Sequence, residues 1–152
     1  DRKGLSSGSF LERVAAVFKV EDAASSAVSQ PCSCAMYLGG RWHRLSWSLP
    51  ESAQADPVSQ LDVSRLQEDL LAPILGIGDP RTDGRIFFVG GIRGNDELVR
   101  LVDSGQAAVA FAMFPTTLEQ MMAIADAGQT MPPKSTWFEP KLRSGLLVHT
   151  LD

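Results

Sequence analysis

Ile86-Phe87-Phe88-Val89-Gly90-Gly91-Ile92-Arg93-Gly94-Asn95-Asp96-Glu97 is the stretch on which the fold reading turns. Four apolar residues without a polar break read as a strand covered on both faces. The glycines then form a turn. Asn95 is placed to cap a helix whose first turn carries Asp96 and Glu97, favourable at the positive end of the helix dipole. Leu98, Leu101 and Val102 fall on one face of that helix, and Gly105 stops it. A second apolar run, Ala107 to Met113, follows at once. Thr116 and Glu119 are spaced as a capping box for a further helix through Leu118, Met121, Met122 and Ala125, with the two methionines at core spacing and Gly128 as its stop. A Pro-rich stretch from Met131 to Lys141 leads to a last apolar run, Gly145 to Thr150. Strand, helix, strand, helix, strand with short connections predicts right-handed crossovers, so the expected class is α/β with a mainly parallel sheet.

The front of the chain adds an N-terminal β-hairpin to this plan. Cys34, Met36 and Leu38 alternate, Gly39-Gly40 intervenes, and Leu45, Trp47 and Leu49 alternate again, a hairpin pattern. Trp42 is out of phase and either faces the other side or marks a bulge. Ser9 and Glu12 are spaced as a capping box for a helix that carries Phe10, Leu11, Val14 and Phe18 to about Lys19. Residues 22–31 read as a loop, as do residues 50–60. Asp62 is placed to cap a helix with Val63, Leu66, Leu70 and Leu71 inward, and Pro73 must end or kink it.

The bulk numbers limit the function classes. The 152 residues favour one domain, read as 9–152, with 1–8 as a linker or edge from a longer protein. The net charge is −4 and the pI about 5.1, and no basic run exceeds Arg2-Lys3. Phosphate neutralisation needs clustered Lys and Arg, so nucleic acid is not an expected partner. No stretch has the length of a membrane span and no signal peptide is apparent, so the expectation is a cytoplasmic domain without a membrane partner. Cys32 and Cys34 are two apart and fall short of a zinc set. They read as free thiols, and no metal site is expected.

Ligands of open α/β sheets sit beyond the carboxyl ends of parallel strands. That rule selects Gly90, Gly91, Arg93 and Gly94 at the first strand end and Thr116 at the second. Glycines admit a ligand to the backbone, a helix start offers N–H groups, and Arg93 supplies charge. The alternative is a plain tight turn. Pro132-Pro133-Lys134-Ser135-Thr136-Trp137-Phe138 is a stiff loop in which Lys134, Ser135 and Thr136 could hold a phosphate and Trp137 and Phe138 could face a ring, or be core anchors beside a solvated Lys134. Asp79, Arg81 and Asp83 read as a self-tied turn in preference to a Mg²⁺ site. His43 and His149 are assigned structural roles.

Leu61-Asp62-Val63-Ser64-Arg65-Leu66-Gln67, Pro73-Ile74-Leu75-Gly76-Ile77, Asp79-Pro80-Arg81-Thr82-Asp83, Phe88 to Gly94 and Met131 to Lys141 resemble the C-terminal portion of the bacterial and archaeal domain-of-unknown-function family 1015. The likeness runs from Phe10 onward. It implies a longer chain whose front half is similar to the ParB and sulfiredoxin-like fold and carries a Gly-His-His-Arg block; that block does not occur in this sequence. Cys32-Ser33-Cys34 departs from a Gly-Phe-Gly-like run in the family. The resemblance implies nucleotide handling, with serine kinases among relatives of the fold and serine-biosynthesis enzymes encoded near family members. The expected function is thus the accessory domain of a nucleotide-dependent enzyme, of the small-molecule (serine-type) kinase class. ATP or ADP with Mg²⁺ would be the cofactors of the full-length protein, and partners would be the N-terminal domain and a small phosphorylated or carboxylate ligand. The alternative is a non-catalytic interaction module that packs on that domain or on a second subunit.

Overall fold

The computed structural model describes residues 4–49, 56–90 and 93–136. Its sheet is organised around the hairpin. Strand β2 (Ser33–Leu38) turns through Gly39-Gly40 into β3 (Arg41–Ser46), with Leu38 opposite Arg41. Both glycines have positive φ, 57° and 82°, the left-handed pair that a two-residue turn matched to strand twist demands. Trp42 faces away from Leu45 and stacks on Tyr37 across the strands, ring centroids 4.9 Å apart. The register runs through it without a bulge.

Helix α1 (Ser7–Ala15) is capped by Ser6, whose Oγ accepts the N–H of Ser9 at 3.1 Å; the expected Ser9 cap lies one turn too late. Phe10 and Val14 are its buried residues. The helix stops at Ala15, before Lys19, and the chain enters an edge strand, β1 (Lys19–Ala23), antiparallel to β3. That strand is mostly charged, which is why its pattern read as helix end and loop.

Helix α2 (Asp62–Leu66) continues as a π-helical turn (Gln67–Leu71) before Pro73. Proline offers no N–H, and the amides on either side reach back five residues, Ala72 to the Gln67 carbonyl at 2.9 Å and Leu75 to that of Leu70 at 3.2 Å. Asp62 does not cap this helix. Its Oδ1 accepts the N–H of Cys32 at 2.9 Å, where the backbone has φ 59°, and so anchors the start of β2. Burial pushes the Asp62 carboxyl above its usual range.

Helix α3 (Asp96–Asp103), strand β4 (Ala110–Met113) and helix α4 (Leu118–Asp126) complete the described chain. Gly105 and Gly128 follow the two helices with φ 76° and 67°, the left-handed stops expected of them. Asn95 makes no capping bond and donates instead to Ser26 Oγ at 2.7 Å. The expected core pair on α4 is not one: Met122 is exposed, and Ile124 is the buried residue.

The expected parallel sheet is not formed. The four described strands run in the order β1-β3-β2-β4, and every pairing is antiparallel. The class is mixed α and β on an antiparallel sheet, without crossover helices. Residues 86–89, read as the first parallel strand, join no strand among the described residues, and Phe87 and Phe88 are 63% and 48% exposed. Run 107–113 pairs, through β4, with β2 of the hairpin. The last run, Gly145 to Thr150, lies outside the described residues.

Strand β2 is buried along its whole length. Cys34, Met36 and Leu38 meet Phe10, Val14, Phe18, Leu45, Leu66, Leu70 and Leu71 in the core on one side. On the other side Tyr37 Oη donates to the Asp103 carboxylate of α3 at 3.1 Å. No helix among the described residues is long and apolar enough to cross a membrane.

Candidate functional site

A cleft of about 1540 Å³ opens beside β4. Residues of both strand faces line it, Ala110 and Ala112 as well as Phe111 and Met113, so it runs along the outer edge of the strand. Its far wall is the end of the α2 region and residues 86–90. One end is closed by the 114–118 and 132–136 loops. The crevice therefore lies at the edge of an antiparallel sheet, not beyond the ends of parallel strands.

Six of the eight expected ligand residues, Gly90, Gly94, Thr116, Lys134, Ser135 and Thr136, line this cleft. Gly91 lies outside the described residues, as do Trp137, Phe138 and His149. Arg93 is described and stands off the wall. It is exposed, its N–H turns back to the Gly90 carbonyl at 3.0 Å, and its charge adds a weak pull on Glu97. Arg100, hydrogen-bonded to Glu97, is the main cause holding that carboxyl below its usual range.

The two loops at the cleft's end are tied directly. Thr116 Oγ1 donates to the Ser135 carbonyl at 2.9 Å, and Ser135 Oγ donates to the Pro132 carbonyl at 2.6 Å. These bonds hold Lys134 at φ 57°, uncommon for a residue with a Cβ and a form of strain that recurs at functional sites. Its ammonium has no hydrogen-bond or ion-pair partner among the described residues. The start of α4 offers less than expected. Thr117, not Thr116, is the cap, and Gln120 completes a capping box whose bonds occupy the Thr117 and Gln120 amides.

The remaining cations of the wall are committed. Arg81 holds the Asp79 carboxylate, and Arg85 holds Asp83 while also donating to the carbonyls of Leu75 and Gly76 at 3.2 and 2.8 Å. Asp79 and Asp83 are thus engaged by their own arginines, as a self-tied turn would be. Among the described residues no group of three or more His, Cys, Asp or Glu is arranged to hold a metal ion. Arg85 escaped the sequence reading, although its place two residues after Asp83 repeats that of Arg81 after Asp79. Cys32 and Cys34 are free thiols, and burial pushes Cys34 up to about 12. His43 is buried, with Nδ1 3.4 Å from Asp22 Oδ1.

The Arg85 clamp makes stability depend on acid. Its hydrogen bonds draw Asp83 from 3.8 down to about 2. A carboxyl with a depressed folded-state value stabilises fully above its unfolded value and loses that contribution as pH falls through the folded one. The melting temperature of the parent therefore declines between pH 3.8 and about 2 more steeply than that of Asp83→Asn. Calorimetric scans across that window check it; parallel curves would remove the clamp from the account.

No family model, curated protein or solved structure matches the chain.

Proposed function

We propose that this domain is the accessory, substrate-holding part of a nucleotide-dependent enzyme, and that its ligand is a small molecule with one carboxylate or one phosphate. The observation that carries the reading is Lys134. It is a cation without a counter-ion among the described residues, set in a constrained turn, on the wall of a cleft it shares with Thr116, Ser135, Thr136 and two glycines. A single uncommitted charge suits one anionic group. Arg81 and Arg85 are already neutralised, so a triphosphate with its metal ion would need cations from elsewhere in the full-length protein. The sequence resemblance, which implies serine kinases among relatives of the fold, suggests the substrate class, a small hydroxy amino acid or its phosphate ester.

Thermal melting of the chain with serine, phosphoserine, ATP, ADP and Mg²⁺ tests this. A ligand in hundredfold excess over its Kd raises the melting temperature by about 5–10 °C for a domain of this size. Serine or phosphoserine gives a shift, and the nucleotides give none. A flat response to all five ligands would sink the reading. The second reading, a non-catalytic packing module, is favoured by the exposed Phe87, Phe88 and Leu118 on the cleft wall.

A further inference from the structure

Three neutral polar side chains on the cleft wall, Gln67, Thr116 and Ser135, have committed their hydrogens to backbone carbonyls. Thr116 Oγ1 donates to the Ser135 carbonyl, and Ser135 Oγ to that of Pro132. Gln67, at the start of the π-helical turn, donates through Nε2 to the carbonyls of Ile77 at 2.7 Å and Gly78 at 3.2 Å. Those two bonds use both hydrogens of the amide, and they fix its orientation, since Oε1 turned that way would meet acceptors. A hydroxyl that donates has only lone pairs left for another partner, and such an amide has only its oxygen. Gln67 Oε1 is buried and accepts no hydrogen bond among the described residues, a costly state for a buried acceptor. The three side chains therefore face a guest as acceptors.

We propose that the ligand of this cleft is a zwitterion, an α-ammonium carboxylate, and that its ammonium is recognised by the Thr116 and Ser135 oxygens. The inference rests on the reading of Lys134 as the contact for the anionic group. Arg81 and Arg85, the other cations of the wall, are held by Asp79 and Asp83, so the carboxylate goes to Lys134. An ammonium carries three donors and no acceptor, the complement of oxygens that can only accept. In an α-amino acid both charged groups are borne by the α-carbon. Here the cation and one acceptor sit on neighbouring residues, Lys134 and Ser135, and the other acceptor, Thr116, is bonded to the same turn. A phosphate dianion is the poorer match, because it sets acceptor against acceptor. A phosphorylated amino acid is accordingly held by its α-ammonium carboxylate end. Gln67 Oε1, on the α2 wall, is a further acceptor for a donor of the guest.

Titration calorimetry of the chain with serine and with β-hydroxypropionate, which lacks the ammonium, is the test. Serine binds at least about tenfold tighter, the difference made by hydrogen bonds from a charged group. Lys134→Ala weakens both acids by a similar factor, since both place a carboxylate there. Ser135→Ala narrows the gap between them to about threefold or less. Any loosening of the turn by that substitution weakens both ligands alike and leaves their ratio unchanged. Equal binding of the two acids by the parent overturns the proposal; if both still depend on Lys134, the reading of that residue stands without it. A gap that persists in both Ser135→Ala and Thr116→Val overturns it as well, because the ammonium is then held elsewhere. Binding of neither acid overturns the proposal and the Lys134 reading together.

Discussion

Replacing Phe10 with alanine lowers the unfolding free energy by about 3–5 kcal/mol, the range for removing a large side chain from a close-packed core. The position justifies the upper part of that range. Phe10 is fully buried, as is Val14 one turn later, and both belong to the core that includes Cys34, Met36 and Leu45 of the central strands. β2 is buried on both faces and cannot shift to fill the space, so most of the cavity persists. Leu11→Ala, on the half-buried flank of the same helix, serves as the control and costs clearly less. Chemical denaturation of both variants decides the matter. A Phe10→Ala loss below about 1.5 kcal/mol would mean that α1 rests on the sheet more loosely than its burial implies.

Lys134→Ala cuts the ligand-induced melting shift by about half or more, whereas Arg93→Ala leaves it intact. The two residues looked equivalent in the sequence, each a cation in a glycine- or proline-rich loop. Lys134 lies on the cleft wall with no counter-charge among the described residues, and Arg93 stands off it near Glu97. A hydrogen bond to a charged group contributes about 1.5–3 kcal/mol, so losing it weakens binding about tenfold or more. Titration calorimetry with phosphoserine measures it. Neither substitution removes a buried contact, so the ligand-free melting temperatures stay close to that of the parent. Equal effects of the two variants on affinity would assign the ligand to a different place.

The hairpin was legible because its signals are local: a two-residue glycine turn between alternating runs leaves few other structures open. The extents of α3 and α4 were legible, whereas α1 ends four residues before its expected stop, and the capping side chains were missed. Ser6 and Ser9, or Thr116 and Thr117, offer neighbouring hydroxyls, and the choice falls to packing on distant residues. Asp62 and Asn95 show the same competition, since each gives its side chain to a residue far along the chain, Cys32 and Ser26. Strand β1 was missed because an edge strand carries the charges that a loop carries. The parallel sheet was inferred from adjacency in sequence. β4, however, pairs with β2, more than seventy residues earlier, a partner that no local pattern identifies. The loops that line the cleft were legible by composition. The commitment of Arg81 and Arg85, and the lack of a partner for Lys134 among the described residues, depend on distances that composition does not hold.

The strand order also sets a timetable. β2 and β3 are joined by two glycines and can pair within microseconds once the chain collapses. β1 adds from the near side, across a gap of fewer than twenty residues. β4 must close a loop of more than seventy, and such contacts are formed late. The ribosome likewise delivers β1 and the hairpin early and β4 last of the described strands. For the time between those events the nascent domain displays the uncharged side of β2, and in that interval a chaperone has the most to protect.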